Sequence, residues 1–100
     1  MYAGIGENIG PRQFYVVNGN EGPSFDKVLP PMFSPDGSYV VGRVKMGGSR
    51  FIVVLNLKGE VVRQLPSYEF VSEPVFTADG KSVAYGVMDG KKLIWKVDKL

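Results

Sequence analysis

Apolar residues occur in short runs separated by turn-forming residues, and this pattern predicts β-structure along the chain. In the middle of the sequence we expect strands at residues 28–33, 38–45, 50–57 and 60–65. The run at 51–55 is apolar without interruption, which is typical of a strand covered on both faces. The chain has 13 glycines and 7 prolines, and no apolar stretch follows the helical period, so we expect essentially no helix.

A segment of the middle of the chain recurs near its end. Residues 31–40 (PMFSPDGSYV) align with residues 74–83 (PVFTADGKSV), and share Pro, Phe, Asp, Gly and Val. The apolar run at 14–17 aligns in turn with 51–54, and residues 93–97 supply a third copy. A sequence that matches itself at a fixed spacing indicates a repeat architecture.

These matches divide a single domain, residues 1–100, into repeat units at about 1–28, 29–65 and 66–100. The first unit lacks the opening strand of the repeat and the last lacks the final strand. Repeats of about 40–45 residues with four strands each are typical of β-propeller blades. We therefore expect an all-β fold of antiparallel, four-stranded propeller-type blades, about two and a half repeats, not closed on its own.

Two turns repeat with the units, Ser-Pro-Asp-Gly at 34–37 and Thr-Ala-Asp-Gly at 77–80. Proline presets φ for a turn, aspartate caps the local backbone and glycine adopts φ > 0. We assign structural turn roles to five of these residues: Pro35, Asp36, Gly37, Asp79 and Gly80. Each aspartate stands without the Asp-x-Asp spacing of calcium loops, so turn capping is favoured over metal binding.

The segments at 33–41 and 76–85 resemble the signature of WD40-like propeller repeats of TolB type. The segment at 14–22 and the ending at 93–97 are similar to other parts of a bacterial subgroup of these repeats. Residues shared within the family lie in turns and cores, so the resemblance implies no catalytic site. It implies an interaction or scaffold role, as the C-terminal repeats of a propeller, often in bacteria and in the cell envelope. Ala78 departs from the pattern, because the family has proline at that turn position.

Composition excludes several kinds of chemistry. The chain has no cysteine and no histidine, so disulfides, Cys/His zinc sites and histidine-dependent catalysis are ruled out. We expect no enzyme activity, no cofactor and no metal. The net charge of +2, with the basic residues scattered, argues against nucleic-acid binding. No apolar run is long enough to insert into a membrane, and the start lacks the pattern of a signal peptide, which leaves bacterial cytoplasm and periplasm both open.

Two weaker patterns have plainer explanations. Gly4, Gly6 and Gly10 lack the flanking residues of a phosphate loop, and the repeat alignment favours a strand with a loose turn there. Glu69 and Glu73 could form an acid–base pair of the kind that glycoside hydrolases use. The alternative, that the two acidic residues lie near each other by chance, is favoured.

Three aromatic residues are candidates for binding. Tyr68 and Phe70 lie in a longer connection between two units, and loop aromatics are enriched at interfaces. The alternative, that both only pack over the gap between blades, is equally open. Trp95 is a candidate for ligand stacking, although its apolar strand favours packing in the core.

We expect a non-catalytic interaction or scaffold module that binds protein. The alternatives are a small-ligand or carbohydrate binder with a pocket near Tyr68 and Trp95, and a purely architectural fragment of a longer propeller. The runs at 51–55 and 93–95 are too apolar for an open edge or face. We therefore also expect self-association through the terminal blades, for example as a homodimer.

Overall fold

The computed structural model describes residues 3–7 and 12–100, and these ranges form strands and turns without any helix. Within them, therefore, no helix is long and apolar enough to cross a membrane. Gly10, one of the three glycines considered for a phosphate loop, lies outside the described residues, whereas Gly4 and Gly6 lie within the first strand. The strands are β1 (Ala3–Glu7), β2 (Gln13–Val17), β3 (Asn20–Phe25), β4 (Lys27–Val28), β5 (Met32–Phe33), β6 (Val40–Met46), β7 (Ser49–Leu55), β8 (Val61–Gln64), β9 (Phe70–Val71), β10 (Val75–Phe76), β11 (Ser82–Asp89) and β12 (Lys92–Lys99).

The strands form three antiparallel sheets, none of them closed. The first sheet has the order β1-β2-β3. In the second sheet β4 and β5 both pair with β6, which is followed by β7 and β8. In the third sheet β9 and β10 both pair with β11, which is followed by β12. The expected all-β, antiparallel class is thus confirmed.

Aligned positions of the second and third sheets form equivalent strand pairs. Val28 pairs with Val44 in the second sheet, as Val71 pairs with Val87 in the third. Further along the same strands, Phe33 pairs with Val40, as Phe76 pairs with Val83. The internal repeat of the sequence therefore corresponds to a repeat of strand register.

The opening strand of the middle unit differs from the expected continuous strand at 28–33. It is divided into β4 and β5, with Leu29, Pro30 and Pro31 between them. Proline has no N–H to donate to the neighbouring strand, so two successive prolines interrupt the ladder. Pro74 lies in the corresponding break between β9 and β10. The two breaks make a repeated feature that the apolar pattern alone did not indicate.

The two Asp-Gly turns have the same hydrogen bonds. Asp36 Oδ1 accepts from the Ser34 hydroxyl at 2.8 Å and from Ser38 N at 3.0 Å. Asp79 Oδ1 accepts from the Thr77 hydroxyl at 2.6 Å and from Lys81 N at 3.0 Å. The expected turn capping by these aspartates is confirmed. The expected positive φ is also found, at 74° for Gly37 and 70° for Gly80.

The second sheet lies between the other two and packs on both faces. Alternate residues of β6 and β7 enter two separate hydrophobic clusters, as the period of two in a strand requires. Val40, Val44 and Val53 pack with Tyr15 and Val17 of the first sheet. The opposite face of the second sheet packs on the third: Val41, Ile52 and Val54 contact Val71, Val83, Tyr85 and Val87. The expectation that residues 51–55 are covered on both faces is therefore confirmed.

Candidate functional site

The third sheet has one covered face and one open face. Val83, Tyr85 and Val87 of β11 point toward the second sheet and are buried. The intervening residues of β11 point the other way, and directly opposite residues on neighbouring strands share a face. We call this side of the third sheet the outer face. Its residues, from β9 to β12, are Phe70, Val75, Ala84, Gly86, Met88, Leu93, Trp95 and Val97.

The outer face is apolar and largely uncovered. Leu93 is 70% exposed, Trp95 62% and Val97 58%, and Val75 and Phe70 are also exposed. Single exposed apolar residues are normal on a protein surface, whereas a contiguous patch marks a site of contact. This face is the candidate functional site.

The strand register shows what covers the matching face in the second sheet. The pair Ala84–Val97 occupies the position of the pair Val41–Val54. The pair Gly86–Trp95 occupies the position of Arg43–Ile52. Ile52 and Val54 are fully buried because the third sheet lies on them. The residues that replace them on the outer face, Trp95 and Val97, have the same orientation, but no other sheet of the described part of the chain lies on them.

Backbone hydrogen bonds and a glycine hold Trp95 against its own sheet. Gly86 N donates to the Ser72 hydroxyl at 2.7 Å, and Ser72 N donates to Gly86 O at 2.8 Å. These bonds fix the chain on one side of β11, while Trp95 pairs with Gly86 on the other. A Cβ at Gly86 would lie 3.5 Å from Trp95 Cε3, so the indole ring lies directly over the glycine.

The far end of β12 is held on the covered side of the sheet. The Tyr85 hydroxyl donates to Asp98 Oδ2. Burial of Tyr85, and then this hydrogen bond to a carboxylate, raise the pKa of the phenol, so Tyr85 remains the protonated donor. The strand that carries Trp95 and Val97 is thereby anchored at its end as well as by the β11 ladder.

The structure separates the three predicted aromatic residues. Phe70 and Trp95 both lie on the outer face. Tyr68 instead packs inward against the cluster between the second and third sheets, and its backbone pairs with Arg50 at 2.8 and 2.9 Å. The interface hypothesis therefore fits Phe70, and the packing alternative fits Tyr68. The expected core packing of Trp95 is wrong, because its side chain is largely exposed and no sheet formed by residues 3–7 and 12–100 covers the face on which it lies.

The sequence pattern did not indicate that Val75, Met88 and Val97 belong to the same face. The signal that identifies them is the alignment of the second repeat unit with the third. It assigns each of them to a position in the second sheet, and the strand pairing then shows the face on which it lies. Single residues in an apolar run give no such information, because the run itself does not show which side is covered.

Groups of three or more metal-ligating side chains of His, Cys, Asp or Glu type are not found in residues 3–7 and 12–100. Comparisons of the chain with protein-family models, with curated proteins and with solved structures found no match. The candidate site accordingly rests on the geometry of the third sheet alone.

Proposed function

We propose that the chain is a non-catalytic interaction module made of propeller-type repeats, and that its outer face binds another sheet of the same kind. The observation that carries the proposal is the register equivalence of the outer face with the buried face of the second sheet. Within the chain, a face of this kind is covered by the next repeat. A repeat unit cannot bury its apolar face alone and depends on a neighbouring unit to do so.

The occupant that we propose is a second copy of this chain. Its first sheet has an apolar side that faces away from the second sheet. On this side the half-buried Val16 of β2 lies opposite Gly4, and Phe14, itself only 8% exposed, lies opposite Gly6. In the repeat alignment Phe14 and Val16 take the positions of Phe51 and Val53, which receive the first sheet within the chain. The two end sheets therefore supply the two sides of one sheet-to-sheet contact.

The small-ligand alternative required a pocket near Tyr68 and Trp95. Three cavities in the described part of the chain are lined by other residues. Titration of the intrinsic fluorescence of Trp95 with sugars tests this alternative directly.

The proposal is tested by light scattering coupled to gel filtration. The wild-type chain should form dimers or larger assemblies at micromolar concentration, because burial of an exposed apolar face drives association. Trp95→Glu should shift the chain toward monomer, since it places a charge in the contact. The matched control is Val62→Glu on β8, which replaces an apolar residue that is also exposed, at 53%, in the second sheet.

A monomeric wild-type chain at micromolar concentration would contradict the proposal. So would equal dissociation by Trp95→Glu and Val62→Glu, since that outcome places the contact elsewhere.

A further inference from the structure

Four basic side chains lie together on the face of the second sheet that meets the third. Lys27 pairs with Lys45, and Lys45 pairs with Arg50, so three cations stand in one row across β4, β6 and β7. Arg43 lies two residues before Lys45 on β6 and therefore points to the same face. Residues that are scattered along the sequence are brought together by strand register.

These four residues line a groove between the second and third sheets. Its volume is about 250 Å³, and its remaining lining is apolar: Leu29, Val44 and Val71. Among the described residues that line it there is no carboxylate. The groove is thus a concave surface in which every charged lining group is positive.

The two arginines are held in place by the backbone of the third repeat. Arg43 Nη1 donates to Val71 O at 3.3 Å, and Arg50 Nη1 donates to Glu69 O at 2.6 Å. A guanidinium has five N–H donors, so each arginine keeps others for a ligand. Nearby Asp26, just before β4, uses its carboxylate to accept from Gly47 N at 2.8 Å.

The repeat does not require these charges. In the third sheet the positions of Lys27, Lys45 and Arg50 are taken by Phe70, Met88 and Leu93, and that of Arg43 by Gly86. The same fold is therefore built there without any of the four cations. Like charges directly opposite each other destabilise a sheet, so the row opposes folding where it occurs.

From the row, the groove and the absence of an acidic lining residue, we propose that this groove binds an anion with phosphate-type oxygens carrying two or more negative charges. Arginine forks match the geometry of such oxygens, and lysines add point charge. The site lies on a different face from the proposed self-association contact and does not depend on it.

Isothermal titration calorimetry with inorganic pyrophosphate tests the site, with a phosphoserine peptide as the second probe. Pyrophosphate represents a free anion, and the peptide represents a phosphorylated side chain. The double variant K45Q/R50Q should weaken binding by about tenfold or more, because charge-assisted hydrogen bonds are lost. The control K58Q/R63Q removes the same charge from exposed positions outside the groove and should bind as the wild type does.

A second measurement does not depend on the ligand chosen. Without anion, K45Q should melt at a higher temperature than K58Q, because it removes one of the facing like charges and leaves the hydrogen bond from Arg50 to Glu69 O in place. Pyrophosphate should raise the melting temperature of the wild type more than that of K45Q/R50Q. Binding of either probe that is lost only in K45Q/R50Q supports the proposal and identifies the source of the anion. No binding of either probe at millimolar concentration, or equal loss in both double variants, would overturn it. Trp95→Glu should leave anion binding unchanged, which keeps this test separate from that of self-association.

Discussion

At the scale of single residues, the contact between the first and second sheets depends on one buried tyrosine. The hydroxyl of Tyr15 lies 2.6 Å from Leu29 O and 3.0 Å from Arg43 O, both in the second repeat. Its side chain is fully buried, and burial raises its pKa, so the phenol stays protonated and can donate. An added Cβ at Gly42 would lie 2.2 Å from the Tyr15 hydroxyl oxygen, far closer than van der Waals contact allows. Glycine is therefore needed at position 42, because a side chain there would take the space of the Tyr15 hydroxyl.

Gly42→Ala should lower the free energy of unfolding by on the order of 2 kcal/mol, since overpacking forces the tyrosine away from its two carbonyl partners. Gly86→Ala is the control. Its new Cβ would meet its nearest neighbours at 3.4–3.5 Å, an ordinary contact distance. Urea denaturation of both variants measures the difference. If Gly86→Ala destabilised the chain as much as Gly42→Ala, the tyrosine contact would not be the cause.

At the scale of elements, the turns and the central strands could be predicted from the sequence, because their signals are local. Asp36, Gly37, Asp79 and Gly80 act through their own backbone conformation and neighbouring N–H groups. The break at Pro30 was not anticipated, although proline alone was sufficient to indicate it.

The sequence pattern did not predict those features of the site that depend on residues far apart in the chain. The exposure of Trp95 and the row of Lys27, Lys45 and Arg50 depend on which sheets stack and which strands pair. An apolar run predicts a strand but does not show whether another sheet covers it. Only the internal repeat carries that information, because it relates each face of the third sheet to a covered face of the second.

The repeated turn makes stability depend on pH in a defined direction. Hydrogen bonds from Ser38 N and the Ser34 hydroxyl hold the pKa of Asp36 below its ordinary value, and those from the Thr77 hydroxyl and Lys81 N do the same for Asp79. A carboxyl with a lowered pKa in the folded chain stabilises it above the unfolded value of about 3.9. This contribution is lost as the pH falls through the folded pKa.

Asp36→Asn should therefore be less stable than the wild type near neutral pH, and the two should converge below about pH 4. Asp89→Asn, at the exposed end of β11, is the charge-matched control. Melting temperatures from pH 7 down to pH 2 measure both differences. A constant difference between the wild type and Asp36→Asn across this range would contradict the assignment of the turn carboxylate.

At the scale of the whole molecule, three sheets stack in one direction, each turning the same face toward the next. Such a stack ends in two different faces: the outer face of the third sheet, and the side of the first sheet that carries Phe14 and Val16. Contact between unlike faces is heterologous, and it produces a ring if the rotation closes and an open chain of copies if it does not. The proposed self-association is of this head-to-tail kind.

The single tryptophan of the chain lies on this outer face, which makes its emission a direct measure of whether the face is covered. On dilution from high micromolar to nanomolar concentration, the emission of Trp95 should shift to longer wavelength as the indole becomes exposed to water. Val16→Glu should give the long-wavelength emission at every concentration, because it removes the receiving face without altering the surroundings of Trp95 in the monomer. Val62→Glu should follow the wild type. An emission maximum that is independent of concentration in the wild type, or a transition that Val16→Glu leaves unchanged, would show that Trp95 is not covered by the first sheet of a second copy.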